Sequence, residues 1–286
     1  MSTRKSLWKP KLTKKKIVVF QDLDAFLADP GNTTSREVMM RWRLLYELSV
    51  AAAQGGIALQ SFLPDVDREG FDVVLSDHDE TRPMQLKVTR ARVAPGFQID
   101  GVHCTTLRPR MDVAESIGFS PGQCGTGQHG CLVLTEITEL APDEPRIEVR
   151  YWITDPFILA ALRHPDGLVP GAPAVAHEDA TALIYALHQG ASHDRVSVRG
   201  SCFVPAASPS ALLALMGLHS SLQLKAWQNN LIERTRMLTA EDLEVRKRKD
   251  EAVPGASGRL DGAHAEQVRS AFRATLAWPK RYAKPA

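Results

Sequence analysis

The side chains best suited to chemistry lie close together in the chain: Asp72 inside the run Phe71-Asp72-Val73-Val74-Leu75, and Gln85 and Lys87 inside Met84-Gln85-Leu86-Lys87-Val88. A carboxylate and an amide oxygen are both hard donors, and a hard divalent cation is bound by such oxygens. Beside a substrate, such a cation neutralises developing charge and lets water act as a nucleophile near neutral pH. Gln85 and Lys87 are two apart on a predicted strand, so their side chains share a face. Leu86 points the opposite way, into packing, and leaves its carbonyl as a further ligand.

The elements that must position these residues are readable from caps, breakers and periodicity. A Ser/Thr cap at Ser35 precedes Glu37 and a breaker-free run to Gln54, where Gly55-Gly56 stops it, so the sequence predicts a helix over 35–54 that carries Glu47. The runs 71–75 and 84–88 read as two strands of a hairpin joined by the turn 77–83. Residues 105–118 are predicted helical, and 121–130 form a Gly-rich loop read as flexible backbone beside the active face. Strands are expected at 131–138 and 146–154, helices at 156–163 and 177–189, a strand at 195–204, and a long helix from Ser208 to about Met237. Thr239-Ala-Glu-Asp resembles a capping box for one more helix.

The order of a helix, a strand with an internal Asp, a turn, a strand with Gln-x-Lys, a helix and further strands resembles the PD-(D/E)XK, restriction-endonuclease-like nucleases. The resemblance rests on Glu47, Gly70-Phe71-Asp72-Val73-Val74 and Gln85-Leu86-Lys87-Val88, and spans about residues 35–155. It implies an α/β fold in which a mixed central sheet is flanked by helices, with an additional, mostly helical C-terminal region. The expected layout is a basic arm at 1–16, the nuclease core at 17–205, a helical extension at 206–250 and a basic tail at 251–286. It also implies hydrolysis of phosphodiester bonds in DNA with Mg²⁺ or Mn²⁺, in roles such as restriction, anti-phage defence, recombination or repair; RNA is the other substrate class. Asp72, Gln85, the Leu86 carbonyl and Glu47 would hold the metal. Lys87 would orient or help deprotonate the attacking water and stabilise the pentacovalent charge.

One position departs from the family pattern. The usual acid of the second motif is Gln85 here, and an amide oxygen can coordinate a hard cation but brings no formal charge, so metal affinity should fall unless another carboxylate compensates. Branches of the family with Gln at this place include active nucleases. The rival expectation is a relative that keeps the fold as a nucleic-acid-binding or assembly subunit without catalysis. Pro64-Asp65 is the literal dipeptide of the family name, but Asp65, Asp67 and Glu69 lie in a polar loop where Asp is common, whereas Asp72 lies in an apolar strand.

Composition sets the remaining bounds. With 44% hydrophobic and 24% charged residues over 286 positions, most of the chain should fold. No stretch approaches 18 uninterrupted apolar residues and no signal core follows the N-terminus, so a cytoplasmic protein with no membrane partner is expected. Cys104, Cys124, Cys131 and Cys202 should then be free thiols. His103 and His129 beside these cysteines lack the Cys-x-x-Cys pair of a zinc site. The net charge of +2 is polarised. Residues 1–16 hold seven Lys/Arg and no acid, residues 246–286 hold ten against four acids, and the stretch between carries −11. Lys14, Lys15 and Lys16, with Arg246, Lys247, Arg248 and Lys249, are therefore candidate phosphate contacts. With no recognisable sequence-reading motif, a homodimer or a partner protein would supply specificity.

Overall fold

The computed structural model describes residues 23–64, 70–90, 97–114, 119, 126–139, 147–189, 195–218 and 262–279. The expected helix is α2, Thr33–Gln54, preceded by α1 (Leu23–Ala28) and a 3₁₀ turn at Pro30–Asn32. Three antiparallel strands follow: β1 (Gln60–Phe62), β2 (Val73–Ser76) and β3 (Thr81–Arg90). A short strand β4 (Phe97–Asp100) leads into α3 (Gly101–Leu107) and α4 (Met111–Ala114). Next, β5 (Cys131–Glu139) pairs with β3 in parallel, and β6 (Ile147–Thr154) pairs with β5 antiparallel. After α5 (Pro156–Arg163), α6 (Ala176–Gln189) and β7 (Arg195–Val198), β8 (Val204–Pro205) completes a six-stranded mixed sheet ordered β1-β2-β3-β5-β6-β8, while β4 and β7 form a separate pair. The described chain closes with α7 (Pro209–Leu215) and α8 (Gly262–Thr275).

Three expectations change shape for local reasons. The helix expected over 105–118 is divided at Arg108-Pro109-Arg110, because proline has no N–H to donate and clashes with the preceding turn. The strand expected over 195–204 is two strands around a 3₁₀ turn at Gly200–Cys202. The helix expected from Ser208 begins where it should, with the Ser208 hydroxyl accepting from the Ala211 N–H, and ends at Leu215 before Gly217, whose φ of 73° is left-handed. The capping box at 239 and the arm at 1–16 lie outside the described residues.

The C-terminal stretch expected as a basic tail contains α8, and its Val268 and Phe272 are buried in the same core cluster as Leu44, Val133 and Ile158. Backbone hydrogen bonds tie it down: the Ala207 N–H donates to the Thr275 carbonyl and the Ala277 N–H to that of Pro205. Cys104, Cys131 and Cys202 are buried free thiols, and burial pushes the Cys131 thiol up to about 12. No described helix is long and apolar enough to cross a membrane.

A buried polar knot anchors the starts of β3 and β5. The Arg82 guanidinium donates to the His129 carbonyl at 2.7 Å and pairs with the Asp155 carboxylate, which also caps α5 by accepting from the Ile158 N–H at 2.7 Å. His129 has a left-handed φ of 56°, sits edge-on to Phe157, and has a buried Nδ1 without a protein partner. Burial, then the charges of Arg82 and Arg110, press its pKa down to about 2. Unfolded, the same imidazole titrates near 6.5, so between those values only the unfolded chain takes the proton. The contribution of His129 is fully present above pH 6.5 and is lost as pH falls, at about 1.4 kcal/mol per pH unit. His129→Asn keeps a residue that tolerates left-handed backbone, and should reduce the slope of unfolding free energy between pH 6 and 4 by that amount. An unchanged slope in urea melts would mean that the imidazole protonates in place.

Candidate functional site

Register decides which side chains can meet, because paired residues on adjacent strands share a face of the sheet. Gln85, Leu132 and Thr154 form one row across β3, β5 and β6; Lys87, Leu134 and Trp152 form the next, and Thr89, Glu136 and Arg150 the one after. Asp72 stands one residue before the first β2–β3 pair, Val73 with Met84. There the two strands part: the Asp72 N–H still donates to the Met84 carbonyl at 2.9 Å, but the Leu86 N–H turns to the Asp72 carboxylate, Oδ2, at 2.6 Å. The carboxylate thus takes the place of the next ladder bond and is held against the segment 85–87.

Gln85 is only 2% exposed, and its Oε1 is buried with no hydrogen-bond partner in the protein. A buried unpaired carbonyl oxygen costs about 1–3 kcal/mol, so it marks a place where a donor or a cation is missing. Lys87 is half-buried, and no described group hydrogen-bonds or ion-pairs with its ammonium. The structure brings Asp72, Gln85 and Lys87 onto one short stretch of the sheet.

It does not bring Glu47 there. The carboxylate of Glu47 accepts from the Tyr151 hydroxyl at 2.7 Å and from Arg43 Nε at 2.8 Å. Tyr151 pairs with Thr135, which pairs with Val88, so it lies on the face opposite Gln85 and Lys87 and two strands away from β3. The expectation that Glu47 completes an acidic shell is corrected accordingly: α2 packs on the other face of the sheet, where Met40 contacts Ile137 among neighbours that include Val88 and Val149. The carboxylate that does share the Lys87 face is that of Glu136, one strand over and one row along. It is buried and accepts from Trp152 Nε1 at 2.9 Å and Arg150 Nη1 at 3.1 Å. Alternation along β5 from Leu134 was the signal that could have found it.

Neighbouring segments fix the approach of Asp72. Gly70, at a φ of 76° that favours glycine, is held by the Thr106 hydroxyl, which donates to its carbonyl at 2.9 Å. The described end of the Gly-rich loop is packed instead of flexible: the N–H groups of Gly127, Gln128, His129 and Gly130 donate to carbonyls of 105–109. A Cβ at Gly130 would lie 2.4 Å from the Pro83 carbonyl oxygen, so this loop is pressed onto the start of β3.

As a donor set for a cation, these residues offer the Asp72 carboxylate, the unpartnered Gln85 oxygen and the Leu86 carbonyl. Mg²⁺ keeps several waters and is commonly held by one or two carboxylates plus substrate phosphate, so the set fits it, with modest affinity. Among the described residues no three His, Cys, Asp or Glu side chains cluster as metal ligands. Asp65, Asp67 and Glu69, and the candidate phosphate contacts Lys14, Lys15, Lys16, Arg246, Lys247, Arg248 and Lys249, lie outside the described residues.

Fold and site together define an α/β protein built on a mixed six-stranded sheet flanked by helices. Comparison with protein-family models, curated proteins and solved structures returns no match.

Proposed function

We propose that the chain is a divalent-metal-dependent nuclease that hydrolyses phosphodiester bonds in DNA on a restriction-endonuclease-like core. The observation that carries the reading is the fork between β2 and β3, where Asp72 replaces a ladder bond beside a buried, unpartnered Gln85 oxygen and a half-buried Lys87. Element order supports it: helix α2, then β2 directly after Asp72, a turn, β3 with Gln85-x-Lys87, helix α3 after the short β4, and further strands follow the order of the family that Asp72 and Gln85-x-Lys87 resemble.

In this reading Asp72, Gln85 and the Leu86 carbonyl hold Mg²⁺ or Mn²⁺. The cation supplies positive charge to the phosphate and lowers the pKa of a neighbouring water. Lys87 orients that water and balances charge on the phosphoryl oxygens. Asp72 is half-buried, and the Leu86 N–H holds its Oδ2. The single carboxylate favours a second reading, a nucleic-acid-binding or assembly subunit that has the fold without catalysis.

Incubation of the full chain with labelled DNA and labelled RNA, with Mg²⁺ or Mn²⁺ and with EDTA, separates these readings. Cleavage of DNA that EDTA abolishes and that Asp72→Asn lowers at least about a hundredfold is the expected result. Mn²⁺ binding followed by paramagnetic resonance should weaken in the same variant. Mn²⁺ binding identical in native chain and variant, with no cleavage of either nucleic acid, would end the nuclease proposal and leave the binding subunit.

A further inference from the structure

The face of the sheet that carries Gln85 and Lys87 holds a second cation. Arg150 on β6 stands in one row with Glu136 and Thr89, next to the row of Lys87, Leu134 and Trp152. Glu136 is only 3% exposed, and its Oε2 accepts both from Trp152 Nε1 at 2.9 Å and from Arg150 Nη1 at 3.1 Å. Arg150 itself keeps 35% of its side chain in solvent. A guanidinium carries five N–H donors in a planar fork, and Glu136 is the only partner of this one among the described residues. One end of the pair is fixed inside the fold and the other faces water. Stability alone gives little reason for it, because the cost of desolvating a buried carboxylate offsets most of the attraction.

We infer that Arg150 binds a phosphate of the substrate strand and that Glu136 is the residue that positions it, an inference that rests on the nuclease reading of Asp72, Gln85 and Lys87. Strands about 4.8 Å apart and rows about 6.6 Å apart put the Cα atoms of Lys87 and Arg150 on the order of 12 Å from each other. Side chains that stand roughly perpendicular to the sheet keep that separation at their heads. Arg150 therefore meets a different phosphate of the strand from the one at Lys87. An arginine suits that task, since its fork takes two phosphate oxygens at once and its charge does not titrate. Glu148, exposed in the row beyond Arg150, is acidic, so the phosphate path ends there.

The two residues act differently on the nucleic acid. Arg150 neutralises one phosphate and releases its counterions, which makes its contribution sensitive to salt. Glu136 holds the guanidinium in one orientation through an oxygen that Trp152 also grips. Near a phosphate, removal of a carboxylate would by charge alone tighten binding. Glu136→Gln keeps an oxygen that can accept from Trp152, so weaker binding in that variant reports lost positioning and not a change of field.

Binding of labelled DNA to the full chain, in EDTA and with Ca²⁺, followed by fluorescence anisotropy over a range of salt concentrations, tests this. Arg150→Gln should weaken binding about tenfold at low salt and lower the slope of log K against log salt by about 0.9, the share of one phosphate. Glu136→Gln should weaken binding by roughly two- to fivefold, the strength of a half-exposed ion pair, with a slope close to the native one. Arg150→Gln, at a part-exposed position, carries the test by itself if the buried Glu136→Gln change unfolds the chain. A native chain that binds no DNA in either condition, or an Arg150→Gln variant with native affinity and slope, overturns the inference; cleavage by the native chain then leaves the nuclease reading standing. Glu136→Gln protein that folds and binds as tightly as the native chain, or more tightly, overturns the positioning role. Weakened binding and a reduced slope in Arg150→Gln, from a chain that cleaves nothing, would keep the phosphate contact on a binding subunit and end the nuclease reading alone.

Discussion

Lys87→Ala should lower the rate of DNA cleavage by about 10²–10⁴-fold, with metal binding and the thermal melt close to those of the native chain. The size follows from what the side chain does in the proposed reaction. An ammonium beside the scissile phosphate acts on charge that develops only in the transition state, so its removal is felt in kcat and much less in ground-state binding. The stability expectation follows from the structure: Lys87 has no hydrogen-bond or ion-pair partner among the described residues, and its removal orphans no described group. Lys87→Arg keeps the charge but spreads it over a longer planar head, and should recover only part of the rate. Single-turnover cleavage at saturating Mg²⁺ is the measurement. A Lys87→Ala variant as fast as the native chain would remove Lys87 from the site even if the nuclease activity stands.

Arg82→Met should destabilise the fold by about 3–5 kcal/mol. Arg82 and Asp155 are both almost fully buried, and removing the guanidinium leaves the Asp155 carboxylate in a low-dielectric interior. Burial already raises the pKa of Asp155, and Arg82 is the main opposing influence, followed by the Ile158 N–H and others. Without Arg82 the strongest influence opposing that rise is gone, and the His129 carbonyl loses its donor. The melting temperature should fall by roughly 10 °C or more. Arg82→Met/Asp155→Ser removes the stranded charge and keeps a residue able to cap α5, so more than half of the loss should return. Additive losses in urea unfolding of the two single variants and the double variant would show that the pair is not coupled.

These two residues differ in how far the sequence alone could place them. Lys87 was legible because it needs only local information: Gln-x-Lys on a strand puts both side chains on one face, whatever the rest of the chain does. Helix α2 and the β2–β3 hairpin were legible for the same reason, through the breaker-free run to Gly55-Gly56 and the turn ahead of β3, although the helix starts at Thr33 after Asn32 and the expected cap, Ser35, lies inside its first turn. Arg82 gave no such signal. An arginine at the start of a strand is ordinarily solvated, and only a partner 73 positions away makes it core.

What the sequence determined by itself is the set of strongly periodic elements and the alignment of Gln85 and Lys87 on β3, because hydrogen-bonding period and side-chain alternation act over a few residues. The tertiary structure alone decided the placements that join distant segments. A helix's periodicity shows which stripe is buried but not the face of the sheet that receives it, and α2 carried Glu47 to Tyr151 and away from Gln85. The pairing of Asp72 with the Leu86 N–H depends on where β2 and β3 diverge. α8 joins the core through contacts with residues more than fifty positions upstream, which no local window contains. Burial is a property of the assembled chain, so the polar groups that it leaves without partners, Gln85 above all, become visible only once the layers have closed over them.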